Sequence, residues 1–411
     1  MTLRHFYIYN QQIKKLLGTD MHLFELSVWI QAFAQSLISV FVPIILWKIG
    51  FSIFQIMAFY FLFNAIDVPF NLAARKVIVR FGAKIALVFS IIAELIFLII
   101  FFALGLSFVA LAAMAFFMAI FDSFYWVSNL YIFVQAANKT EKMRTDVSAL
   151  NIIRTIGGLL APAIGAIIFI AAGQKALIFA TTFLMFGSLI PISMMKHAKF
   201  KPDKEPSRAG EFFAKPIEKI NYLMGGFAAL QAEVEDTIWP FFVFFLFASV
   251  RAAAYIPIII SVAGLVFTYL SGKFSVRRNI YKMIALGAIA VFGFWILRVS
   301  FISNPLISYA SVFLIGIMAI FIDIPLDVAT FERGTQAGIL NAVTYRNLTR
   351  MGLRALLYLA LMFAADIFAA SFGAVIIGML ILAVFAWSVS RQKDEFLMLV
   401  PEPASPAPEE K

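Results

Sequence analysis

The sequence predicts an all-α polytopic membrane protein, with twelve transmembrane helices in two pseudo-symmetric six-helix bundles. Three observations predict it. First, 63% of the 411 residues are hydrophobic and the mean hydropathy is +0.93, whereas a soluble globular chain rarely exceeds half apolar. Second, the apolar residues come in runs such as IALVFSIIAELIFLIIFFALGLSF and AVIIGMLILAVFAW. About 20 such residues cross a bilayer as a helix. Third, motifs of the first half recur in the second at a nearly constant offset.

The elements follow in order. Segment 1–21 carries a polar stretch and two lysines ahead of the first span. It lacks a signal-peptide pattern, so the first span is expected to direct insertion. Spans are expected near 22–47, 52–73, 83–105, 107–136, 147–172, 175–195, 218–247, 252–272, 282–301, 305–331, 342–368 and 371–390. The basic, Pro-rich KHAKFKPDKEPSRAGEFFAKP reads as a linker, 196–217, between bundles 22–195 and 218–390. Segment 391–411 ends in VPEPASPAPEEK and reads as a disordered tail.

Charge fixes the expected orientation. One side collects Arg4, Lys14, Lys15, Arg75, Lys76, Arg80, Lys84, Lys139, Lys142, Arg144, the linker cluster, Lys273, Arg277, Arg278 and Lys282. The other keeps Lys48, Lys175, Arg251 and Arg298. The positive-inside rule puts both termini in the cytoplasm of a cell (plasma or inner) membrane. The net charge of +10 is then topological and calls for no nucleic-acid partner.

The repeat has named members. Pro43 and Pro240 lie 197 residues apart, as do Val79-Arg80 and Val276-Arg277. MAIF occurs at 118–121 and again at 318–321, followed by Asp122 and by Ile322-Asp323. Asn151-x-x-Arg154 and Asn347-x-x-Arg350 are 196 apart. Paired six-helix repeats are one of the symmetries of secondary transporters, whose substrate site lies at the repeat interface near the midplane.

With these features the chain resembles the major facilitator superfamily. The loop after span two reads RKVIVRFGAK, similar to that family's G-x-x-x-D-R-x-G-R-K. Arg80, Gly82 and Lys84 match; Arg75 and Val79 replace the first Gly and the Asp. The second copy, GKFSVRRNIYK, matches at Gly272 and Arg277. The resemblance implies a gating role for Arg80, Gly82, Lys84 and Arg277. Without the Asp, a latch of Arg80 and Lys84 on helix-terminal carbonyls is what remains; the alternative is positive-inside charge beside a turn glycine. Span five carries GGLLAPAIG, similar to the family's antiporter signature, with Gly157 or Gly158, Ala161, Pro162 and Gly165. It favours export over uptake, and generic close packing is the alternative.

The stretch QAEVEDTIWPFFVFF places Glu233, Glu235 and Asp236 inside apolar span seven. Asn221 to Glu233 is roughly 18 Å of helix, which reaches the bilayer middle. Glu233 and Asp236 share a face at i, i+3, Glu235 points away, and Pro240 breaks the helix just beyond. A carboxyl group in low dielectric binds and releases a proton near neutral pH. These three are the proton-coupling candidates, and a structural ion pair with Arg154, Arg346, Arg350 or Arg354 is the alternative. The last three line one face of span eleven, with Arg346 at its edge. Arg154 and Arg350 occupy equivalent places in the two halves. They either bind an anionic group or neutralise Asp122, Asp323 and Asp327. Gln31, Gln35, Asp122, Tyr125, Trp126, Asn129, Arg154, Asp323 and Arg350 are the substrate-cavity candidates. Lone acids Asp67, Glu94 and Asp366 are expected to hold local hydrogen bonds.

Absences bound the rest. There is no cysteine, the three histidines are scattered, and no G-x-x-x-x-G-K-[S/T] loop is present. No metal site, no cofactor, no fused ATPase and no enzymatic constellation is therefore expected. The reading is a monomeric, proton-coupled secondary transporter of a small organic solute, an exporter first. An uptake symporter or facilitator is the alternative, and a transporter-like sensor or scaffold the alternative of another class.

Overall fold

The computed structural model describes residues 19–137, 160–195, 213, 216–271 and 280–399. The described residues form helices and short connections, without a strand. In the first half these are α1 (Thr19–Ile38), α2 (Val42–Ile49), α3 (Ile53–Phe81), α4 (Ala83–Phe102), α5 (Phe108–Ala137), α6 (Ala161–Gly187) and α7 (Leu189–Met194). In the second they are α8 (Pro216–Glu233), α9 (Trp239–Phe247), α10 (Val250–Ser271), α11 (Ile280–Ser300), α12 (Pro305–Ala337), α13 (Ile339–Met362) and α14 (Ile367–Leu399). Eight described segments are long and apolar enough to cross a membrane. The expected span 218–247 is covered by α8, the turn Val234–Ile238 and α9, and the span 342–368 largely by α13; both carry charges inside.

Element ends follow local chemistry. Ser52 caps α3, its hydroxyl accepting from Gln55 N while the Gln55 side chain accepts from Ser52 N, a reciprocal capping box. Gly82, at φ +91°, turns the chain between α3 and α4, a conformation side chains resist. Gly173, at φ 84°, breaks α6 where the fifth and sixth spans were expected to meet. Asp366 Oδ1 accepts from Phe368 N and Ala369 N at the start of α14, the local role expected of it. Helix α14 runs on to Leu399, which corrects the disordered assignment for 391–399. RQKDEFLML contains good helix formers and no proline before Pro401, so nothing stops the helix.

Both repeat prolines follow an irregular turn. Residues Ser39–Phe41 tighten into a 3-10 turn ahead of α2, whose second residue is Pro43. Residues Val234–Ile238 widen into a π turn ahead of α9, whose second residue is Pro240. Proline cannot donate to the carbonyl four residues back, and each half relaxes the ladder there in its own way.

The halves meet at both ends of the helices. On the face carrying Arg75, Arg80 and Lys84, called here the basic face, Arg75 Nη1 donates to Asn341 Oδ1 at 3.2 Å. Phe133 and Phe331 pack nearby, and Ile339, Leu340 and Val343 of α13 join the core of the first half. On the opposite face Trp47 meets Phe245 edge-on at 5.1 Å. In between, Tyr60 of α3 stacks on Tyr358 of α13 at 5.0 Å. Many large apolar side chains face outward, among them Ile99, Val109, Phe179, Phe183 and Ile377; a lipid environment accommodates them at no hydrophobic cost.

Candidate functional site

Between the halves lies a cavity of about 570 Å³. Helices α1, α5, α8, α10, α12 and α13 line it, together with the π turn. Its charged lining comprises Glu235, Asp236, Asp323, Asp327, Arg346, Arg350 and Arg354, with Gln35, Tyr125 and Trp126 opposite.

The π turn sorts the three acids of QAEVED to three destinations. Glu233 is buried; its Oε1 accepts from the Tyr358 hydroxyl at 2.5 Å and its Oε2 pairs with Arg354 at 3.2 Å. Glu235 makes a two-pronged bond with Arg298, at 2.7 and 2.9 Å. Asp236 stands open to the cavity and holds no hydrogen bond or ion pair among the described residues. Glu233 and Asp236, expected together on one face, therefore do different things, because the wider turn separates their directions.

Arg298, counted by sequence among the charges of the less basic side, does not reach solvent there. It is fully buried, its guanidinium 4.3 Å from the ring centre of Trp239 and 4.4 Å from that of Trp295. Its Nε donates to Ser311 Oγ at 2.8 Å. Two indole faces, a hydroxyl and a bidentate carboxylate satisfy a charge that could not otherwise be buried. This makes Glu235 the partner of a structural ion pair in this conformation.

On α13 the arginines divide their contacts. Arg346 Nη2 pairs with Asp327 Oδ1 at 2.5 Å and is buried, which corrects its placement at the span edge. Arg350 reaches the same oxygen at 3.4 Å, and its buried Nε has no partner. Arg354 holds Glu233, donates to Ala229 O at 3.3 Å, and faces Asp122 and Asp236. Asp323 borders the cavity without a hydrogen bond or ion pair among the described residues.

The other expected site residues fall as follows. Gln35, Tyr125 and Trp126 line the cavity. Gln31 is buried and donates to Ser27 Oγ at 2.7 Å. Asn129 is buried, and Asp122 Oδ1 accepts from Trp126 Nε1 at 3.0 Å. Lys84 Nζ donates to the carbonyls of Ser193 and Met195 at the end of α7, while Arg80 lies over the Phe81 ring. Arg154, Gly157, Gly158 and Arg277 lie outside the described residues. Sequence reasoning missed Arg298 and Tyr358. Tyr358 continues the four-residue stripe of Arg346, Arg350 and Arg354, a signal that could have found it.

The sequence matches the Major Facilitator Superfamily over residues 25–346. The chain belongs to this family. Comparison with curated proteins found no match. As a major facilitator, the chain is a multi-pass membrane protein of transporter class, and its central cavity is the place where such a fold exposes polar side chains to a solute.

Proposed function

We propose that this major facilitator is a monomeric, twelve-span secondary transporter that exports a small organic solute in exchange for protons. Both termini are cytoplasmic in this reading, and the membrane is the plasma or inner membrane. The observation that carries it is Asp236: an unpaired carboxylate, deep in the membrane domain, open to the cavity between the halves. An intramembrane carboxylate without a partner is costly unless it exchanges a proton or contacts a ligand. Asp236 takes the proton directly. Glu233 responds through Arg354, which faces both acids and belongs to the helix that packs on the first half. Tyr125 and Trp126 offer apolar surface to the body of the solute. The outward direction rests on the antiporter-like composition of GGLLAPAIG; its Gly165 packs on span one, the Cα facing the Leu37 carbonyl so closely that an added Cβ would lie 2.2 Å from that oxygen. Spans one and five are thereby fixed tightly together.

The test uses proteoliposomes with an imposed pH gradient and a panel of fluorescent organic cations and anions. Wild-type protein is expected to move at least one dye against its gradient, with protons flowing the opposite way. Asp236→Asn is expected to abolish the proton-driven component, a loss of 100-fold or more on the order expected for a removed proton carrier, while dye exchange at equal pH persists. Undiminished proton-driven transport by Asp236→Asn would remove Asp236 from the coupling role.

A further inference from the structure

We propose that Asp67 and Asp122 form a second proton-binding site, buried in the first half behind Trp126. Asp67 sits on α3 and Asp122 on α5, two helices packed along each other, and their carboxyl groups face one another. One oxygen of each has an ordinary donor: Asn71 Nδ2 for Asp67, Trp126 Nε1 for Asp122. The other oxygen of each is buried and has no donor. Two carboxylates offer only acceptors, so two buried oxygens that face one another without a donor are satisfied by a proton on one. Two neutral groups on the same face of α3 add to the unfilled demand. Asn64 Oδ1 and Asn71 Oδ1 belong to fully buried residues and have no partner. Glu94 Oε2, on α4 facing Asp122, is likewise unpartnered.

The charges that face the pair are Glu94 from α4, Glu233 from α8 and Arg354 from α13. Arg354 is the positive one, and it comes from the other half of the molecule. Its ion pair is with Glu233 at 3.2 Å. A proton on the Asp67–Asp122 pair leaves Arg354 to Glu233; loss of that proton draws Arg354 toward the first half. Proton occupancy is thus converted into a pull across the interface between the halves. Trp126 lines the cavity and bonds Asp122, so a solute that displaces the indole removes a donor from the pair.

The experiment reads no solute, so its failure is distinct from failure of the transport reading. Infrared spectra of the purified full-length protein are compared between low and high pH. Wild type is expected to show a protonated-carboxyl C=O band that disappears as the pH is raised. Asp67→Asn and Asp122→Asn are each expected to remove the same component of it, a component that Asp236→Asn and Glu94→Gln leave in place. Asp122, only half-buried, carries the same prediction if Asp67→Asn does not fold. Arg354→Gln is expected to keep the band to a higher pH, since removing a cation favours the protonated pair. A band unchanged by both Asp substitutions overturns the site. A band abolished by NaCl but not by choline chloride at fixed pH assigns the pair to an alkali cation and overturns it as a proton site. A band whose pH dependence is unmoved in Arg354→Gln overturns the link to the other half.

Discussion

Arg298 shows how far a residue's role depends on partners remote in sequence. Its guanidinium lies between Trp239 and Trp295 and is closed off by Glu235 and Ser311. Removing one member of such a pair strands the other charge in an apolar interior. Arg298→Ala is therefore expected to cost about 3–5 kcal/mol, read as a large fall in thermal stability in detergent. Arg298→Met with Glu235→Leu is expected to recover most of it, because apolar replacement of both partners is often near neutral; a double variant as unstable as the single would contradict the account. In the sequence Arg298 counted only as a charge of the less basic side, since it stands near the end of an apolar span. Nothing nearby announces two indoles from other helices. The acids of QAEVED were visible as costly residues, but their division among Tyr358, Arg298 and the cavity was not, because periodicity carries no information on tertiary partners. Asp67 and Asp122 are likewise plain as letters; their contact exists only once α3 packs against α5.

At the scale of elements, hydrophobic runs were enough to place most helices, since a bilayer imposes length and apolarity directly. Their ends were less legible: α3 continues to Phe81 and α12 to Ala337, past the apolar stretch, because helix formation outlasts hydrophobicity where no breaker intervenes. The prolines announced a break, yet only the structure distinguishes a tightened turn before Pro43 from a widened one before Pro240. Gly165 makes a sharper prediction. A methyl group there would meet the Leu37 carbonyl at 2.2 Å and a ring carbon of Phe41 at 3.0 Å, and a helix backbone cannot give way locally. Gly165→Ala is expected to push α6 off α1 at a cost of about 1–3 kcal/mol, with transport reduced in proportion. Unchanged stability and unchanged transport would mean that the two helices do not hold this spacing.

Across the whole molecule, the proposed transport cycle requires that the two halves part on one face while closing on the other. The structure provides a distinct contact set at each end. Arg75 with Asn341 closes the basic face, Trp47 with Phe245 the opposite one. The cavity and its charged residues lie between. Because the chain contains no cysteine, each contact can be locked without background labelling. Arg75→Cys with Asn341→Cys, joined by a short bifunctional thiol reagent, is expected to stop turnover while leaving a third cysteine at Gln35 reactive only from the opposite face. Trp47→Cys with Phe245→Cys is expected to give the mirror result, with Gln35→Cys reactive only from the basic face. Cross-linked proteins of both kinds that still transport would exclude rocking of the halves as the working motion. Mirror-image access would instead tie the residue-scale chemistry to the global change: Arg354, paired with Glu233, lines the cavity between the two locks, where the proposed gain or loss of a proton would bias which one opens.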